Sequence, residues 1–240
     1  MSEENGTRAM RFDLQVISSW IDPGSRVLDL GCGHGDLLYA LQKEKQVHGV
    51  GIEADEEKAA FCIGRGLTVL HENFNEDVLY YPHHHFDYCV LSQTLQQVYE
   101  PDKLILRLLE IGTKIIVSFP NFSHWRVRMQ LLCTGVAPRN DHLPYEWYNT
   151  PNIRVITIKD FKKFIRTINA RVVKEAALNS RKNERFGRII HFLPDWRATY
   201  GIFLLENGGN NCSDRMDRSA RKLALQRSIL SRLSSKLERH

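Results

Sequence analysis

Arg26-Val-Leu-Asp-Leu-Gly-Cys-Gly-His-Gly-Asp-Leu-Leu38 is an apolar run that stops abruptly in glycines and resumes with helical spacing. It reads as strand, tight turn and helix. Val27, Leu28 and Leu30 suit a buried parallel strand, while Gly31, Gly33 and Gly35 let the backbone take positive φ and come close to a ligand. The helix begins near Gly35 or Asp36, and its first N–H groups turn toward the crevice at the strand's carboxyl end.

Outward from this stretch the pattern repeats. Residues 12–20 place Phe12, Leu14, Val16, Ile17 and Trp20 on one side of a helix that Asp22-Pro-Gly24 stops. The helix after the glycines runs to about Gln42. Residues 47–52 form a second short strand ending in Glu53-Ala-Asp55, and Asp55 suits the cap of a helix over 56–63. Residues 67–70 and 86–91 make the third and fourth strands. Glu100-Pro-Asp102 caps a helix to about Ile111 with Leu104, Leu108 and Leu109 inward, and 114–119 make a fifth strand. Strands alternating with helices describe a doubly wound, mostly parallel α/β sheet of Rossmann-like type.

At 240 residues, with 42% hydrophobic and 25% charged residues, the chain has the composition of an ordinary globular domain with an appendage. No apolar run reaches transmembrane length, and Met1-Ser-Glu-Glu-Asn-Gly lacks the basic and apolar regions of a signal peptide, so a cytoplasmic location is expected. Cys32, Cys62, Cys89, Cys133 and Cys212 show no C-x-x-C spacing, which indicates neither a zinc site nor a disulfide framework. His83-His84-His85 follow Pro82 in a turn without a carboxylate or thiol at ligand spacing, and a solvated loop is expected there rather than a metal site.

The loop spacing narrows its ligand. A dinucleotide fingerprint needs G-x-G-x-x-G, whereas here Gly31-Cys-Gly33-His-Gly35 brings the third glycine one place early, and the Gly-Lys-Ser/Thr of a P-loop is absent. Asp29 followed by Gly-x-Gly-x-Gly resembles the first motif of class I S-adenosylmethionine-dependent methyltransferases. A sulfonium with an amino-acid tail carries positive charge and wants a carboxylate beside a close backbone. A βα turn that binds nothing is the plain alternative. Glu53 stands about twenty residues beyond the loop, where an acid accepts hydrogen bonds from both ribose hydroxyls; a charge at the following helix N-terminus is the other reading.

The resemblance to these methyltransferases implies further contacts. Asn73 aligns where the adenine amino group is bound, and Phe74 either faces the adenine ring or enters the core. The segment after the fourth strand, Leu91-Ser92-Gln93, flanks the sulfonium. It shows no Asn/Asp-Pro-Pro-Tyr-like motif of amino-methylating members. The implied ligand set is Asp29, Gly31, Cys32, Gly33, Gly35, Glu53, Ala54, Asn73, Phe74, Leu91, Ser92 and Gln93, and the implied fold closes with an antiparallel pair from residues 171–176 and 200–205.

Four segments are more specific: the glycine stretch, Leu91-Ser-Gln-Thr-Leu-Gln96, Ser118-Phe-Pro-Asn-Phe-Ser-His-Trp-Arg126 and Leu143-Pro-Tyr-Glu-Trp-Tyr-Asn-Thr-Pro-Asn-Ile153. In this order they resemble the MetW family of methionine-biosynthesis proteins, over roughly residues 10–205. That resemblance implies a methyltransferase-like protein that binds S-adenosylmethionine or S-adenosylhomocysteine, associates with homoserine O-acyltransferase and supports or regulates it. The alternative is an active methyltransferase on a small-molecule acceptor. Phe122, Trp125, Tyr145, Trp147 and Tyr148, interleaved with Arg126, Arg128 and Glu146, are residue types that anchor protein interfaces, and they equally suit a lid over the crevice. An acceptor base would come from His124, Tyr145 or Tyr148, with nothing to single one out. No nucleophile-elbow order is visible, so the chain is not itself the acyltransferase.

Residues 1–9 read as a flexible N-terminus and 206–240 as a basic, helical or disordered tail. Between 214 and 239 the tail carries eight Lys/Arg against three Asp/Glu, an excess equal to the net charge of +5 of the whole chain. A pI near 9.0 is therefore the tail's doing, and no nucleic-acid partner is expected for the body.

Overall fold

The computed structural model describes residues 10–72, 81–139, 145–181 and 184–208. Expectations at Asn73, Phe74, Leu143 and Pro144, for residues 1–9 and for most of 206–240 lie outside the described residues. The elements run α1 (Phe12–Trp20), β1 (Arg26–Leu30), α2 (Asp36–Lys45), β2 (His48–Glu53), α3 (Glu56–Gly64), β3 (Thr68–His71), β4 (Phe86–Ser92), α4 (Pro101–Ile111), β5 (Gly112–Pro120), α5 (Trp125–Thr134), α6 (Ile158–Thr167), β6 (Ala170–Asn179), β7 (Arg188–Ile189), α7 (Pro194–Arg197) and β8 (Tyr200–Asn207).

The strands form one sheet in the order β3-β2-β1-β4-β5-β8-β6-β7. β3 to β5 pair in parallel, and β8 inserts antiparallel between β5 and β6. The expected closing pair is thus β6 and β8, with β7 an additional antiparallel edge. Alternate residues of each strand feed two cores. Val27, Val90, Ile116, Ile202 and Leu204 meet Leu14, Ile17, Leu37, Leu38 and Leu41 of α1 and α2. Leu28, Leu30, Leu91, Ile115, Val117, Phe119, Phe203 and Leu205 meet Ile105 and Leu108 of α4 and Ile158, Phe161 and Ile165 of α6. Burial on both faces is why the parallel strands read as apolar runs rather than as alternating ones.

After β3 the chain crosses to the other side of β1 and enters β4. The crevice between the carboxyl ends of β1 and β4 is therefore the topological switch point, where open α/β sheets bind ligands.

Several boundaries depart from expectation. α2 continues to Lys45, beyond Gln42, because the Lys45 ammonium donates to the carbonyls of Ser18 and Ile21, both at 2.6 Å, and ties the end of α2 to the end of α1. Asp55 caps α3 as expected, accepting from the Lys58 N–H at 3.2 Å. Glu100 does not cap α4 with its side chain; it pairs with Lys103 at 2.6 Å, and Pro101 opens the helix instead. Among the described residues no helix is long and apolar enough to cross a membrane.

Candidate functional site

Gly31, Gly33 and Gly35 have φ of 71°, 59° and 71°, in the left-handed region that the turn requires. At Gly31 and Gly35 space is equally decisive: a Cβ would lie 2.7 Å from Thr94 Oγ1 and 2.5 Å from Leu67 Cδ1 respectively. At Gly33 a Cβ would meet nothing within 4 Å, so this backbone opens onto the crevice.

Four N–H groups of the loop are already spent. Gly31 and Cys32 N–H groups donate to the Ile52 carbonyl at 2.8 and 3.2 Å, and Gly35 N–H donates to the Cys32 carbonyl at 3.0 Å. Gly33 N–H donates to Glu53 Oε2 at 2.7 Å. A phosphate cradle presents such donors to its ligand. Here the four glycine-loop N–H groups bond within the protein, and Asp29 and Asp36 bring two carboxylates to the cavity.

A cavity of about 220 Å³ lies against the loop, lined by Arg11, Leu14, Asp29, Gly31, Cys32, Gly33, His34, Asp36, Leu37 and Ser92. Asp29 lies on the α2 side of β1, in the same parity as Val27, and is only 2% exposed. Its Oδ1 is buried without a hydrogen-bond partner. Burial, then the neighbouring Glu53 carboxylate, push Asp29 up to about 7, and Arg11 pulls it partly back. Leaving a buried carboxylate oxygen unpaired is costly unless something completes it.

Arg11 is the permanent cation of the lining. Its guanidinium pairs with Asp13 through two bonds of 3.1 and 3.0 Å, and Asp13 also accepts from Gln93 Nε2 at 2.7 Å. Gln93, with φ of 56°, directs its N–H to Ser118 O at 3.0 Å and bonds Tyr200 through its side chain. Thr94 Oγ1 donates to the carbonyls of Leu30 and Ser92, both at 3.1 Å. The corner after β4 is thereby fastened to α1, β1 and β5.

The structure brings Asp29, Gly31, Cys32, Gly33 and Ser92 together around the cavity. Glu53 adjoins it through Gly33, and its Oε1 accepts from Asp55 N–H at 3.0 Å. Cys32 is half-buried beneath the loop, where a Cβ on Gly51 would lie 2.7 Å from its Sγ, and the Cys62 thiol donates to the Gly33 carbonyl at 3.3 Å. Burial raises both thiols above their ordinary value, Cys32 strongly. Ala54 is exposed at the mouth, its carbonyl 3.1 Å from His71 Nε2. Gly35 is buried under Leu67 and Cys62, shaping the turn rather than lining the cavity. Leu91 is fully buried in the α4-side core, so only its backbone is near the crevice. Gln93 turns toward Asp13, beside the cavity. Arg11, Leu14 and Asp36 were not among the expected ligands. Leu14 lies on α1, which packing spacing alone indicates, and Arg11 just precedes it; only the fold brings them over β1.

The aromatic motif after β5 is largely structural at its start. Asn121 Nδ2 donates to the carbonyls of Asp195 and Ala198 at 3.0 and 2.9 Å, and Ser123 Oγ bonds Asn121 Oδ1 at 2.7 Å and Asp195 Oδ1 at 2.8 Å. His124 is buried, caps α5 with Nδ1 accepting from Arg126 N–H at 3.3 Å, and is shifted below its ordinary value by burial and by Arg126.

Comparison with known proteins places these features. A family model described as "Methionine biosynthesis protein MetW" matches residues 11–205. A curated relative from Rhodopirellula baltica, described as a bifunctional methionine biosynthesis protein MetXA/MetW, is 31% identical over 175 residues, 69% of this chain. The chain spans 28% of that relative's length. Among solved structures, an S-adenosylmethionine-dependent methyltransferase from Archaeoglobus fulgidus superposes with a TM-score of 0.60 at 15% identity, over 81% of this chain and 91% of that one. The [4+2]-cyclase SpnF superposes with a TM-score of 0.57 at 15% identity, over 86% of both chains. These two likenesses establish the fold, and since one is a methyltransferase and the other a cyclase, the fold alone does not set the reaction. With its glycine loop, its doubly wound sheet and a match spanning almost the whole described chain, this protein belongs to the MetW family.

Proposed function

We propose that the chain binds S-adenosylmethionine or S-adenosylhomocysteine at the β1–β4 switch point, and acts in methionine biosynthesis as an accessory subunit of homoserine O-acyltransferase. The observation that carries the ligand is Asp29: a buried carboxylate with one orphaned oxygen, beside spent loop donors, suits a cationic amino-acid end. Arg11 stands ready to neutralise the ligand carboxylate, and Glu53 retains free lone pairs on both oxygens for the ribose hydroxyls. The residues fit the ligand. Bound here, S-adenosylmethionine supplies an electrophilic methyl group on sulfur. The methyltransferase-like domain is proposed for residues 10–207: β8 carries Glu206 and Asn207 into the sheet, two residues beyond the expected boundary at 205.

Occupancy rather than turnover is supported by the corner after β4. Gln93, Thr94 and Gln96 are tied to Asp13, Leu30 and the Gln93 carbonyl, where an acceptor would have to approach. The partner is supported by the family resemblance and by the relative whose name joins MetXA and MetW in one polypeptide. A ligand that regulates must bind the free and docked forms differently, typically by about 5- to 150-fold. Calorimetry with both ligand forms, with and without the acyltransferase, should show such a difference, and acylation should change when this protein is added. No complex and unchanged acylation would sink the accessory role. Methyl transfer from labelled cofactor to extract metabolites, lost in Glu53→Ala, would establish the methyltransferase instead.

Ligand binding should also depend on pH. Asp29 holds its proton up to about 7 in the free protein against 3.8 ordinarily, so the folded free state gains stability from it below pH 4 and loses that gain as pH rises through 7. A cationic ligand needs the ionised form. Affinity should therefore increase roughly tenfold from pH 6 to pH 8. Asp29→Asn should bind more weakly and lose that slope; an unchanged slope would remove Asp29 from the site.

A further inference from the structure

α5 is ten residues long, and Val127 is its one buried residue. A helix of that length is marginal by itself and normally gains its stability by packing an apolar face. Here the apolar side chains face solvent: Met129, Leu131 and Leu132 are 40%, 53% and 78% exposed. The helix is nevertheless held firmly at its start. Arg128 donates to the Ser123 carbonyl at 2.7 Å and pairs with Asp195 at 3.0 Å, on top of the Asn121–Ser123–Asp195 bonds.

The surface extends beyond the helix. Arg139 N–H donates to Gln130 Oε1 at 3.2 Å, and the Arg139 guanidinium pairs with Glu146, which fastens the following stretch to α5. In that stretch Trp147 and Tyr148 are 77% and 71% exposed and pack edge to face. Single exposed apolar residues are ordinary, whereas half of the twenty large ones exposed among the described residues fall between 125 and 155.

We infer that α5 and the Trp147–Tyr148 stretch form the face on which the homoserine O-acyltransferase docks, an inference that rests on the accessory role proposed above. Three observations select this occupant. The chain's own tail leaves the sheet at the far end: β8 passes from Tyr200, opposite Pro120 at the end of β5 that leads into α5, to Glu206, opposite Lys114. The family match stops at 205, so a surface within the matched region is not explained by a segment beyond it. Arg128 and Arg139 are neutralised by Asp195 and Glu146, which leaves Arg126, over the Trp125 ring, as the cation of residues 125–139 without a carboxylate beside it among the described residues; such a face suits a partner with an apolar centre and an acid placed to meet Arg126. The fused relative adds that this unit occurs on the same polypeptide as another, which keeps such a partner at high effective concentration.

Cys133, an exposed free thiol on α5, is a natural reporter, with buried Cys62 and Cys89 as internal references. In the full-length protein alone, iodoacetamide should alkylate Cys133 rapidly at any protein concentration, and saturating acyltransferase should slow it at least tenfold. Leu132→Asp should weaken the complex at least tenfold while S-adenosylhomocysteine binding and the melting temperature stay as in the wild type. Phe186→Asp, at an equally exposed apolar residue elsewhere, should leave the complex unchanged. If the complex forms but Cys133 stays reactive and Leu132→Asp binds normally, the docking face is wrong while the accessory role stands. If the wild type forms no complex, the accessory role falls and takes the face with it. Protection of Cys133 in the isolated chain overturns the assignment in favour of the tail, and protection that increases with concentration overturns it in favour of a second copy.

Discussion

Glu53→Ala is expected to weaken S-adenosylhomocysteine binding about 100-fold, measured by calorimetry near pH 7.5. The side chain does two jobs at once. It accepts from Gly33 N–H at 2.7 Å and from Asp55 N–H at 3.0 Å, so it sets the loop. In the proposed complex its remaining lone pairs would accept from the ribose hydroxyls. Hydrogen bonds to a charged group contribute roughly 1.5–3 kcal/mol each, and a donor left unpaired costs about 1–3 kcal/mol, so the loss of both jobs corresponds to at least two powers of ten in affinity. Glu53→Gln separates the two. One amide oxygen serves one N–H, but the NH2 meets the other donor head-on, so it should recover little. Binding within threefold of wild type in Glu53→Ala would reject the assignment.

The second large effect concerns stability. Phe119→Ala should cost about 3–5 kcal/mol and lower the melting temperature on the order of 10 °C. Phe119 is fully buried where β5 meets β8 and α6. Its ring lies parallel to Phe203 at 5.9 Å and tilted against Phe161 at 4.8 Å, while Phe161 and Phe203 are 4.9 Å apart. Truncating one member of this trio leaves a cavity its rigid neighbours cannot fill. Phe119→Leu should recover most of the loss, and chemical unfolding of the three proteins measures it. A cost below 1 kcal/mol for the alanine variant would mean the site collapses freely, contrary to the packing described.

The fold was readable wherever a strand is buried on both faces. Residues 26–30 and 86–92 are apolar because helices cover them on either side, and the intervening glycines and acids mark where the strands end. α6 is equally written in the chain, through Thr157 as cap and Ile158, Phe161 and Ile165 at helical spacing. α5 was harder. Its apolar side chains follow no buried stripe because they are not buried, so periodicity cannot separate it from a loop.

The site was legible in part for a similar reason. Asp29, the glycines and Glu53 belong to one contiguous strand–turn–helix unit and the next strand end, and local spacing places them. Arg11 and Asp36 enter through the packing of α1 over α2 and through the turn geometry, neither of which local spacing expresses. The motif at Asn121 to Arg126 had looked like an interface or a lid. Its Asn121 and Ser123 form a hydrogen-bonded knot to α7, and the exposed surface lies in the following helix and the Trp147–Tyr148 stretch.

The spent donors of the glycine loop bear on selectivity in the cell. Adenine nucleotides far outnumber most sulfonium compounds as adenosine carriers, and Glu53 would greet their ribose just as readily. What separates them is the other end of the molecule. A di- or triphosphate would arrive at Asp29 and Asp36 with no N–H free among Gly31, Cys32, Gly33 and Gly35 to receive it. In the proposed site this arrangement would favour a cationic amino-acid end over a phosphate chain on the same adenosine.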